Sequence, residues 1–347
     1  MRPTGLRIGI GFVGAGQIAR ERHVPGLKRI PGIELVGVVN RSPESTRRAA
    51  EEHGFKRTYT HWRELVEDPE VDAIVIGTWP YLHAPITLSA LESGKHVLTQ
   101  ARMAMNGAEA RAMLTASRAH PELVAMVAPS PFSIWADRTI QRLLREEAVG
   151  QLRSVRVFWD SGVKRSPRLH WRNQAELSGS NTMTLGIVYE AMARWLGHAV
   201  AVQATAHVFD SEKVRPDGSV ELVVIPDYLC AVAEFAGPVF ASLEMASHAA
   251  FEENSALFFG TGGTMRVTFS PRRIELANDP AAGYQSVALR RDDELEWQVE
   301  EEFVGAIRGE ESVRLTDFAT GAATMAFTDA VRQSALEGHR VPVEAGP

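Results

Sequence analysis

Cysteine is nearly missing from this sequence, and long apolar runs are missing altogether. Cys230 is the only cysteine among 347 residues, which excludes an internal disulfide framework and a zinc site built from cysteines. No segment has the roughly 18 uninterrupted apolar residues of a membrane span. The short, glycine-rich apolar stretch at the N-terminus lacks the cleavage pattern of a signal peptide. We therefore expect a soluble, cytoplasmic protein with no membrane partner.

A basic excess is also lacking, because 37 Lys and Arg residues face 43 Asp and Glu residues, for a net charge of −6. This balance argues against a nucleic-acid partner. The sequence has no P-loop, no G-x-S-x-G pattern and no convincing metal-ligand spacing, so we predict no bound metal. With 347 residues, the chain is long enough to predict two domains.

What is present in the first third is a regular alternation of short apolar runs and helical patterns. The apolar runs cover 6–13, 33–40, 72–78, 95–99 and 123–129. Strands separated in this way by helices predict a parallel sheet with both faces covered. We assign residues 1–128 to a Rossmann-like dinucleotide-binding domain.

The glycines after the first strand fit the dinucleotide fingerprint in two registers. One register uses Gly9, Gly11 and Gly14, and the other uses Gly14, Gly16 and Ala19. Only the second places the turn between strand and helix, where the backbone can approach a pyrophosphate. We therefore expect Gly14, Gly16, Gln17 and Ile18 to bind the cofactor. The alternative is a glycine-rich turn without a ligand.

The second strand ends at Asn40-Arg41-Ser42, where an NAD-binding protein usually carries an acid. Arg41 could stack on adenine or pair with a 2′-phosphate, and Asn40 and Ser42 could donate hydrogen bonds to that phosphate. We therefore favour NADP(H), with NAD(H) as the alternative. Thr78 and Trp79 follow the third strand and are expected to contact the cofactor.

The pattern of the sequence changes after residue 128. A helix and a strand lead into a polar loop, a second helix and a series of alternating runs joined by turns, and a final helix closes the chain. Successive strands of this kind predict a large, mainly antiparallel sheet. We therefore predict an α/β protein overall, with an α+β domain over 129–347 that contains a large open sheet.

Several segments together resemble the glucose–fructose oxidoreductase, inositol dehydrogenase and MocA-like family (Gfo/Idh/MocA). They are "GFVGAGQIA", "TWPYLHAPITLSALESGKHVL", "LHWRN", "LGIVYEAMARWLG", "FGTGGTMRV" and "AVRQSALEGHRV". The resemblance covers nearly the whole chain. It implies an NAD(P)-dependent enzyme acting on sugars, inositols or related polyols, with the second domain binding substrate and building a homodimer or homotetramer.

The same resemblance implies that the usual acid–base residues are missing. Members of the family typically carry Glu-Lys-Pro after the fourth strand, and Asp and His four residues apart at the start of a later helix. Those positions hold Gln100-Ala101-Arg102, Thr184 and Val188 here. Oxidising an alcohol requires a base near working pH, and none of these replacements supplies one. Asn181, Thr184 and Val188 would form one polar, non-basic helical face.

Other residues are therefore candidates for the chemistry. Arg102 could steady an oxyanion or bind an anion, with a salt bridge as the alternative. His170 is the best titratable candidate, although a surface or packing histidine is the stronger alternative. Tyr189 could donate a proton, although a core or interface tyrosine is the stronger alternative. Thr184 lies at the vacant Asp position.

Four further residues are expected near the nicotinamide. Trp171 and Arg172 belong to the loop that the resemblance places over it, and Gln100 follows the fourth strand. His83 matches the family's histidine after the third strand, and for it we favour a structural role at the start of a helix.

These observations predict hydride transfer between nicotinamide and a sugar, polyol or related carbonyl or imine substrate, with non-standard acid–base residues. Reduction of a carbonyl or imine suits a site without a strong base. Two alternatives stay open: a non-redox enzyme with a bound dinucleotide (an epimerase, lyase or glycosidase-like enzyme), and a catalytically inactive dinucleotide-binding regulatory protein.

Overall fold

The computed structural model describes residues 7–161, 166–179, 183–249, 253–293 and 295–344. Asn181, one of the three residues of the predicted polar helical face, lies outside these ranges. In the described part of the chain, no helix combines the length and apolar character needed to cross a membrane.

The described chain forms two compact units. The first contains the residues up to Pro129 together with Gln298–Met325, and the second contains Ser130–Trp297 together with the residues from Ala326 onward. The structure thus differs from the predicted division, in which 129–347 formed one continuous domain. The returning segment belongs to the first unit because Phe318 and other apolar residues that follow it pack in that unit's core.

The first unit is built on a parallel sheet with the strand order β3-β2-β1-β4-β5-β6. Its strands are β1 (Ile8–Val13), β2 (Ile33–Val39), β3 (Arg57–Thr58), β4 (Ala73–Ile76), β5 (His96–Thr99) and β6 (Ala125–Val127). Every residue of β1, β4, β5 and β6 is buried, as expected for a parallel sheet covered on both faces. Five of these strands were predicted, and the edge strand β3 was not.

Helices follow the strands of this sheet. They are α1 (Val24–Arg29), α2 (Pro43–His53), α3 (Trp62–Glu67), α4 (His83–Glu92), α5 (Gly107–Ala119) and, from the returning segment, α9 (Val299–Arg308). A π-helical segment, Ala19–His23, precedes α1. The start of α2 is set by its sequence, because Ser42 accepts a hydrogen bond from the Ser45 amide and Pro43 occupies the first turn.

The second unit contains a larger sheet with the strand order β16-β15-β14-β13-β7-β12-β11-β8-β17. Its strands are β7 (Leu152–Asp160), β8 (Ala199–His207), β11 (Tyr228–Phe235), β12 (Val239–Ala246), β13 (Ser255–Gly260), β14 (Thr264–Phe269), β15 (Arg272–Ala277), β16 (Gln285–Ser286) and β17 (Val341–Pro342). The short strands β9 (Glu212–Val214) and β10 (Val220–Leu222) form a separate ribbon. Neighbouring strands in the large sheet are antiparallel except β7 and β12, which confirms the mainly antiparallel prediction.

One face of this sheet carries the core of the second unit. Along β11, residues such as Leu229, Ala231 and Ala233 are buried, whereas Val232 on the opposite face is exposed. The buried side chains pack with residues of α6 (Ile134–Arg145), α8 (Leu185–Leu196) and the later part of α10 (Phe318–Glu337). A short helix, α7 (Ala175–Ser178), lies before α8 in sequence. The structure therefore contains both predicted sheets, the parallel, Rossmann-like one and the large, mainly antiparallel one.

Candidate functional site

The turn after β1 is packed backbone against backbone. Gly14 has a φ of +87°, and its amide donates to the Val39 carbonyl at 2.8 Å. A Cβ atom on Gly14 would lie 2.8 Å from the Gly77 carbonyl carbon, and one on Gly77 would lie 2.3 Å from the Gly14 oxygen. Glycine is therefore required at both positions. Gly9 and Gly11 lie inside β1, so the strand–helix turn has the register that begins at Gly14.

Gly16, two residues further on, has the opposite surroundings. No atom of the described residues outside the immediate chain neighbours lies within 4 Å of the position that its Cβ would take, and the residue lines a cavity. Its carbonyl accepts from the Arg20 amide at 3.0 Å, in the first turn of the helical segment that follows. Gly16 thus leaves open space beside a helix start, which is the arrangement that lets a phosphate approach the backbone.

The tip of β2 is held by its own polar side chains. Asn40 Oδ1 accepts from the Ala15 amide at 2.7 Å, and Asn40 Nδ2 donates to the Ser45 carbonyl at 3.0 Å. Ser42 caps α2 and does not line the cavity. The side-chain roles predicted for Asn40 and Ser42 as phosphate donors are therefore corrected: both side chains have structural partners. Arg41 lines the cavity, with its guanidinium carbon 5.1 Å from the centre of the Trp79 ring.

A cavity of about 590 Å³ opens along these elements. Its walls come from the glycine turn, the tip of β2, one face of α2, the start of α3 and the segment after β4. The predicted residues that it brings together are Gly14, Gly16, Gln17, Asn40, Arg41, Thr78 and Trp79. The predicted residues of the same unit that do not line it are Ile18, Ser42, His83, Gln100 and Arg102.

Basic side chains dominate the charge of the described lining residues. They are Arg20, Arg41, Arg48, His53 and His61, against the one carboxylate of Glu52. Burial lowers the pKa of His53 below its ordinary value, so this ring is mainly neutral near pH 7. The three arginines give the cavity a positive wall suited to phosphate groups.

Several of these lining residues had not been predicted. Ser45, Arg48, Ala49 and Glu52 share one face of α2 at helical spacing, so the periodicity of that helix could have indicated them. His61 and Trp62 lie near the start of α3, and no pattern in the sequence connects them to the glycine turn.

The segment after β4 supplies a buried hydroxyl. Thr78 lines the cavity, and its Oγ1 is buried with no hydrogen-bond partner in the described part of the chain. His83 is 1% exposed and contacts two backbone carbonyls, that of Thr78 through Nε2 at 3.0 Å and that of Arg102 through Nδ1 at 2.9 Å. These contacts agree with the structural role favoured for His83 at the start of α4, and the residue does not line the cavity as a cofactor contact would. The histidine ties the turn after β4 to the turn after β5.

The turn after β5 holds Gln100 and Arg102. Arg102 was predicted to steady an oxyanion or bind an anion. It is only 5% exposed, so little of its surface is open to such a ligand. Gln100 is half-buried, and its amide group contacts the His23 ring. The positions that correspond to the family's usual Lys and Pro are thus filled by a small residue and a buried arginine.

In the second unit, the segment around His170 forms a short 3₁₀ turn. His170 Nδ1 accepts from the Arg172 amide at 3.3 Å, and the His170 amide donates to Asn173 Oδ1 at 3.1 Å. An accepting Nδ1 leaves the proton of a neutral ring on Nε2. The Arg172 guanidinium lies 4.2 Å from the centre of the Trp171 ring, and burial lowers the pKa of Arg172.

Thr184 and Tyr189 lie at the start and within the first two turns of α8. Thr184 precedes the helix, and its buried Oγ1 has no hydrogen-bond partner among the described residues. Tyr189 is fully buried and stacks on Phe327 with ring centres 3.6 Å apart. Its hydroxyl accepts from the Ala199 amide at 2.9 Å, and burial raises its pKa to about 12. The prediction of Tyr189 as a proton donor is corrected, because this tyrosine is a core residue.

Glu190 also has a structural environment. Its carboxylate accepts from the Ser130 amide at 3.0 Å and pairs with Arg194 at 2.5 Å. Arg194 pairs at the same time with Asp137 at 2.8 Å. Asp137 in turn accepts from the Trp195 indole at 2.6 Å. This buried network ties α6 to α8.

Tyr189→Phe is expected to leave kcat within about twofold of the parent value, while lowering the free energy of unfolding by about 1–2 kcal/mol. The loss of stability follows because the Ala199 amide loses its buried acceptor. Steady-state kinetics and denaturant unfolding measure the two quantities. A fall in kcat of about 100-fold or more, the size expected for loss of a general acid, would restore Tyr189 as a proton donor.

The fold and the cavity define a dinucleotide-binding protein, and comparison with known proteins gives its family. Residues 8–128 match the oxidoreductase family described as having an NAD-binding Rossmann fold, and residues 138–266 match the GFO/IDH/MocA C-terminal domain. The chain belongs to the GFO/IDH/MocA oxidoreductase family.

The relatives within this family are dehydrogenases and reductases. Levoglucosan dehydrogenase of Pseudarthrobacter phenanthrenivorans is 26% identical over 81% of this chain and 78% of its own length. The 1,5-anhydro-D-fructose reductase of Ensifer adhaerens is 34% identical over 52% of this chain and 54% of its own. A solved levoglucosan dehydrogenase in complex with NADH and L-sorbose shares the fold, with a TM-score of 0.84 and 24% identity over 97% of this chain and 99% of that one.

Proposed function

We propose that this protein is an NADP(H)-preferring oxidoreductase that reduces a carbonyl or imine group of a sugar or polyol-like substrate. The observation that carries the cofactor preference is the basic wall beside the tip of β2. No carboxylate stands at that tip, and the Asn40 side chain is held between Ala15 and Ser45. Arg41 and Arg48 both line the cavity and supply the charge that a 2′-phosphate requires.

The residues around the cavity fit a dinucleotide. Gly16 leaves free space beside a helix start for a pyrophosphate, and the Thr78 hydroxyl is a buried polar group to which no described residue is hydrogen-bonded. Trp79, over which Arg41 lies, offers an aromatic face at the same wall. The nicotinamide dinucleotide supplies a hydride donor or acceptor when bound.

The protein's own contribution to proton transfer is assigned to His170. Because its Nδ1 accepts from the Arg172 amide, the neutral ring carries its proton on Nε2 and can donate it there. Trp171 and Arg172, next to it in the 3₁₀ turn, stay predicted cofactor contacts. A reduction needs a proton donor for the developing alkoxide or amine and needs no strong base, which suits a chain with Ala101, Thr184 and Val188 at the family's usual positions.

The substrate class is inferred from the relatives. Their names specify levoglucosan and 1,5-anhydro-D-fructose, which are both anhydrosugars. We extend this class to the present chain as a small, uncharged, sugar-like carbonyl compound or its alcohol. Assembly as a homodimer or homotetramer stays a prediction, and the exposed Val232 and Phe240 on the outer face of the large sheet are in keeping with it.

Arg41→Ala is expected to weaken NADPH binding by about 10- to 100-fold and to change NADH binding by less than about threefold. The size follows from losing a charge-assisted hydrogen bond to the 2′-phosphate, worth about 1.5–3 kcal/mol. Fluorescence titration of the purified protein with each nucleotide measures both dissociation constants, after a check for nucleotide carried through purification.

Arg63→Ala is the matched control. The Arg63 guanidinium also lies over a tryptophan, 4.5 Å from the centre of the Trp62 ring, but Arg63 does not line the cavity. It should leave both affinities unchanged. Equal affinity of the parent protein for the two nucleotides would overturn the NADP(H) preference. Absence of binding for both would overturn the oxidoreductase itself and favour a scaffold with another use.

A further inference from the structure

A histidine buried in the first unit contacts the turn after β5. His23 ends the π-helical segment that follows the glycine turn, and its side chain is almost completely buried. Its Nδ1 contacts Glu300 Oε1, and its Nε2 contacts Gln100 Nε2. Glu300 comes from the second position of α9, so three separate segments of the chain meet at one imidazole ring.

One feature of the surroundings of Glu300 stabilises negative charge on its carboxylate. The residue lies in the first turn of α9, where unsatisfied amides and the helix dipole stabilise negative charge. Gly26, one turn after His23, leaves the space that the carboxylate occupies, since a Cβ there would lie 2.6 Å from Glu300 Oε2. A carboxylate accepts hydrogen bonds and does not donate them, so His23 Nδ1 must carry the proton of this contact.

The orientation of the Gln100 amide follows from that assignment. In a neutral ring protonated on Nδ1, Nε2 is an acceptor, and its partner must be a donor. Gln100 does present its NH₂ group to Nε2, which agrees with the neutral Nδ1–H form. An imidazolium would instead require Gln100 Oε1 at this place. The amide is thereby fixed with Oε1 on the side away from His23.

Gln100 lies where ligands meet a sheet of this type. It follows the last residue of β5, at the carboxyl end of a parallel strand beside β4, and ligands of open α/β sheets bind outside that edge. Its side chain is half-buried, and no described residue donates a hydrogen bond to its Oε1. A partly exposed acceptor of fixed direction therefore stands at this edge.

We propose that His23 and Glu300 are positioning residues that hold the Gln100 amide so that its oxygen accepts a hydrogen bond from a hydroxyl or amide N–H of the bound reactants. The proposal rests on the proposed function for its ligand. Two sources could supply the donor, a hydroxyl of the sugar-like substrate or the carboxamide of the nicotinamide. Loss of the acceptor raises KM for the substrate in the first case and Kd for both nucleotides in the second.

The first test is the tautomer of His23, read from ¹⁵N-histidine NMR of the protein without ligands. The His23 signals are those missing from His23→Gln or His23→Asn. We expect the pattern of a neutral ring protonated on Nδ1, the rarer form of histidine in solution. A ring protonated on Nε2, or an imidazolium, would overturn the proposal, and this reading does not depend on any activity.

The second test is Glu300→Gln, with Glu302→Gln as the matched control. Glu302 lies two residues along α9, is equally buried, and accepts from the Arg314 and Leu315 amides without touching His23. We expect Glu300→Gln to remove the preference for the Nδ1–H form and to lower kcat/KM by about 10- to 100-fold through misplacement of Gln100. Glu302→Gln should keep the His23 tautomer and change kcat/KM by less than about threefold.

The outcomes separate this proposal from the proposed function. Equal effects of the two substitutions on tautomer and rate would overturn the positioning role and leave the oxidoreductase intact. Failure of both nucleotides to bind the parent protein would overturn the oxidoreductase, and with it the ligand of Gln100. A loss of the His23 tautomer preference in Glu300→Gln without any change in kcat/KM would likewise overturn the functional role.

Discussion

Gly16→Val is expected to raise the dissociation constant for nicotinamide dinucleotides by at least about 100-fold while leaving the protein folded. The Cβ of residue 16 would enter the open space of the cavity, where it meets no atom of the described residues. It would fill the place where the backbone must approach a pyrophosphate. Nucleotide titration measures the binding, and thermal unfolding should show a free energy of unfolding within about 1 kcal/mol of the parent.

Gly14→Ala serves as the contrasting variant of the same turn. Its Cβ would press on the backbone of Gly77 and Thr78, and alanine is disfavoured at a φ of +87° by about 1–2 kcal/mol before any overlap is counted. We expect a loss of stability of about 3 kcal/mol or more. Normal nucleotide affinity in Gly16→Val, or unchanged stability in Gly14→Ala, would show that the turn has been assigned the wrong contacts.

Arg194→Ala is expected to lower the free energy of unfolding of the second unit by more than Tyr189→Phe does. Its guanidinium pairs with Asp137 and Glu190, all three side chains being less than one-tenth exposed. Removing the cation leaves two buried carboxylates that repel each other, a defect that costs about 3–5 kcal/mol. The midpoint of thermal unfolding should fall by roughly 10 °C for a unit of this size.

Arg340→Ala provides the comparison for that measurement. Arg340 makes two hydrogen bonds to the Glu234 carboxylate, at 2.6 and 2.7 Å, yet its side chain is 53% exposed. Such a surface pair contributes at most about 1 kcal/mol. If the two arginine variants unfolded at the same temperature, burial of the Arg194 network would not be the source of its stability.

Local patterns were sufficient to predict most of the fold. The strands at the centre of the first sheet are continuous apolar runs, and the alternation along β11 marks a strand with one covered face. β3 has only two residues, both exposed, so it carries no apolar pattern to detect. The return of Gln298–Met325 to the first unit depends on which core its apolar residues join, and a sequence pattern does not specify that.

The candidate site was predictable to the extent that glycine and chain order define it. Gly14 and Gly16 predict the turn because Gly14 has a backbone conformation that favours glycine, and Gly16 leaves a space that a side chain would fill. The roles of the side chains were less predictable, since a polar side chain can form hydrogen bonds within the protein or bind a ligand. Asn40 and Tyr189 both took protein partners, in backbone contacts that only folding brings together.

The two hydrogen bonds of the Asn40 side chain have a consequence for redesign of the nucleotide preference. The customary way to favour NAD is an acid at the tip of the second strand. Asn40→Asp would retain an acceptor for the Ala15 amide, but it would replace the donor to the Ser45 carbonyl with a second oxygen facing that carbonyl. The new carboxylate would loosen the start of α2 while remaining directed at the protein. An engineered acid therefore belongs at position 41, where the present side chain already reaches the cavity.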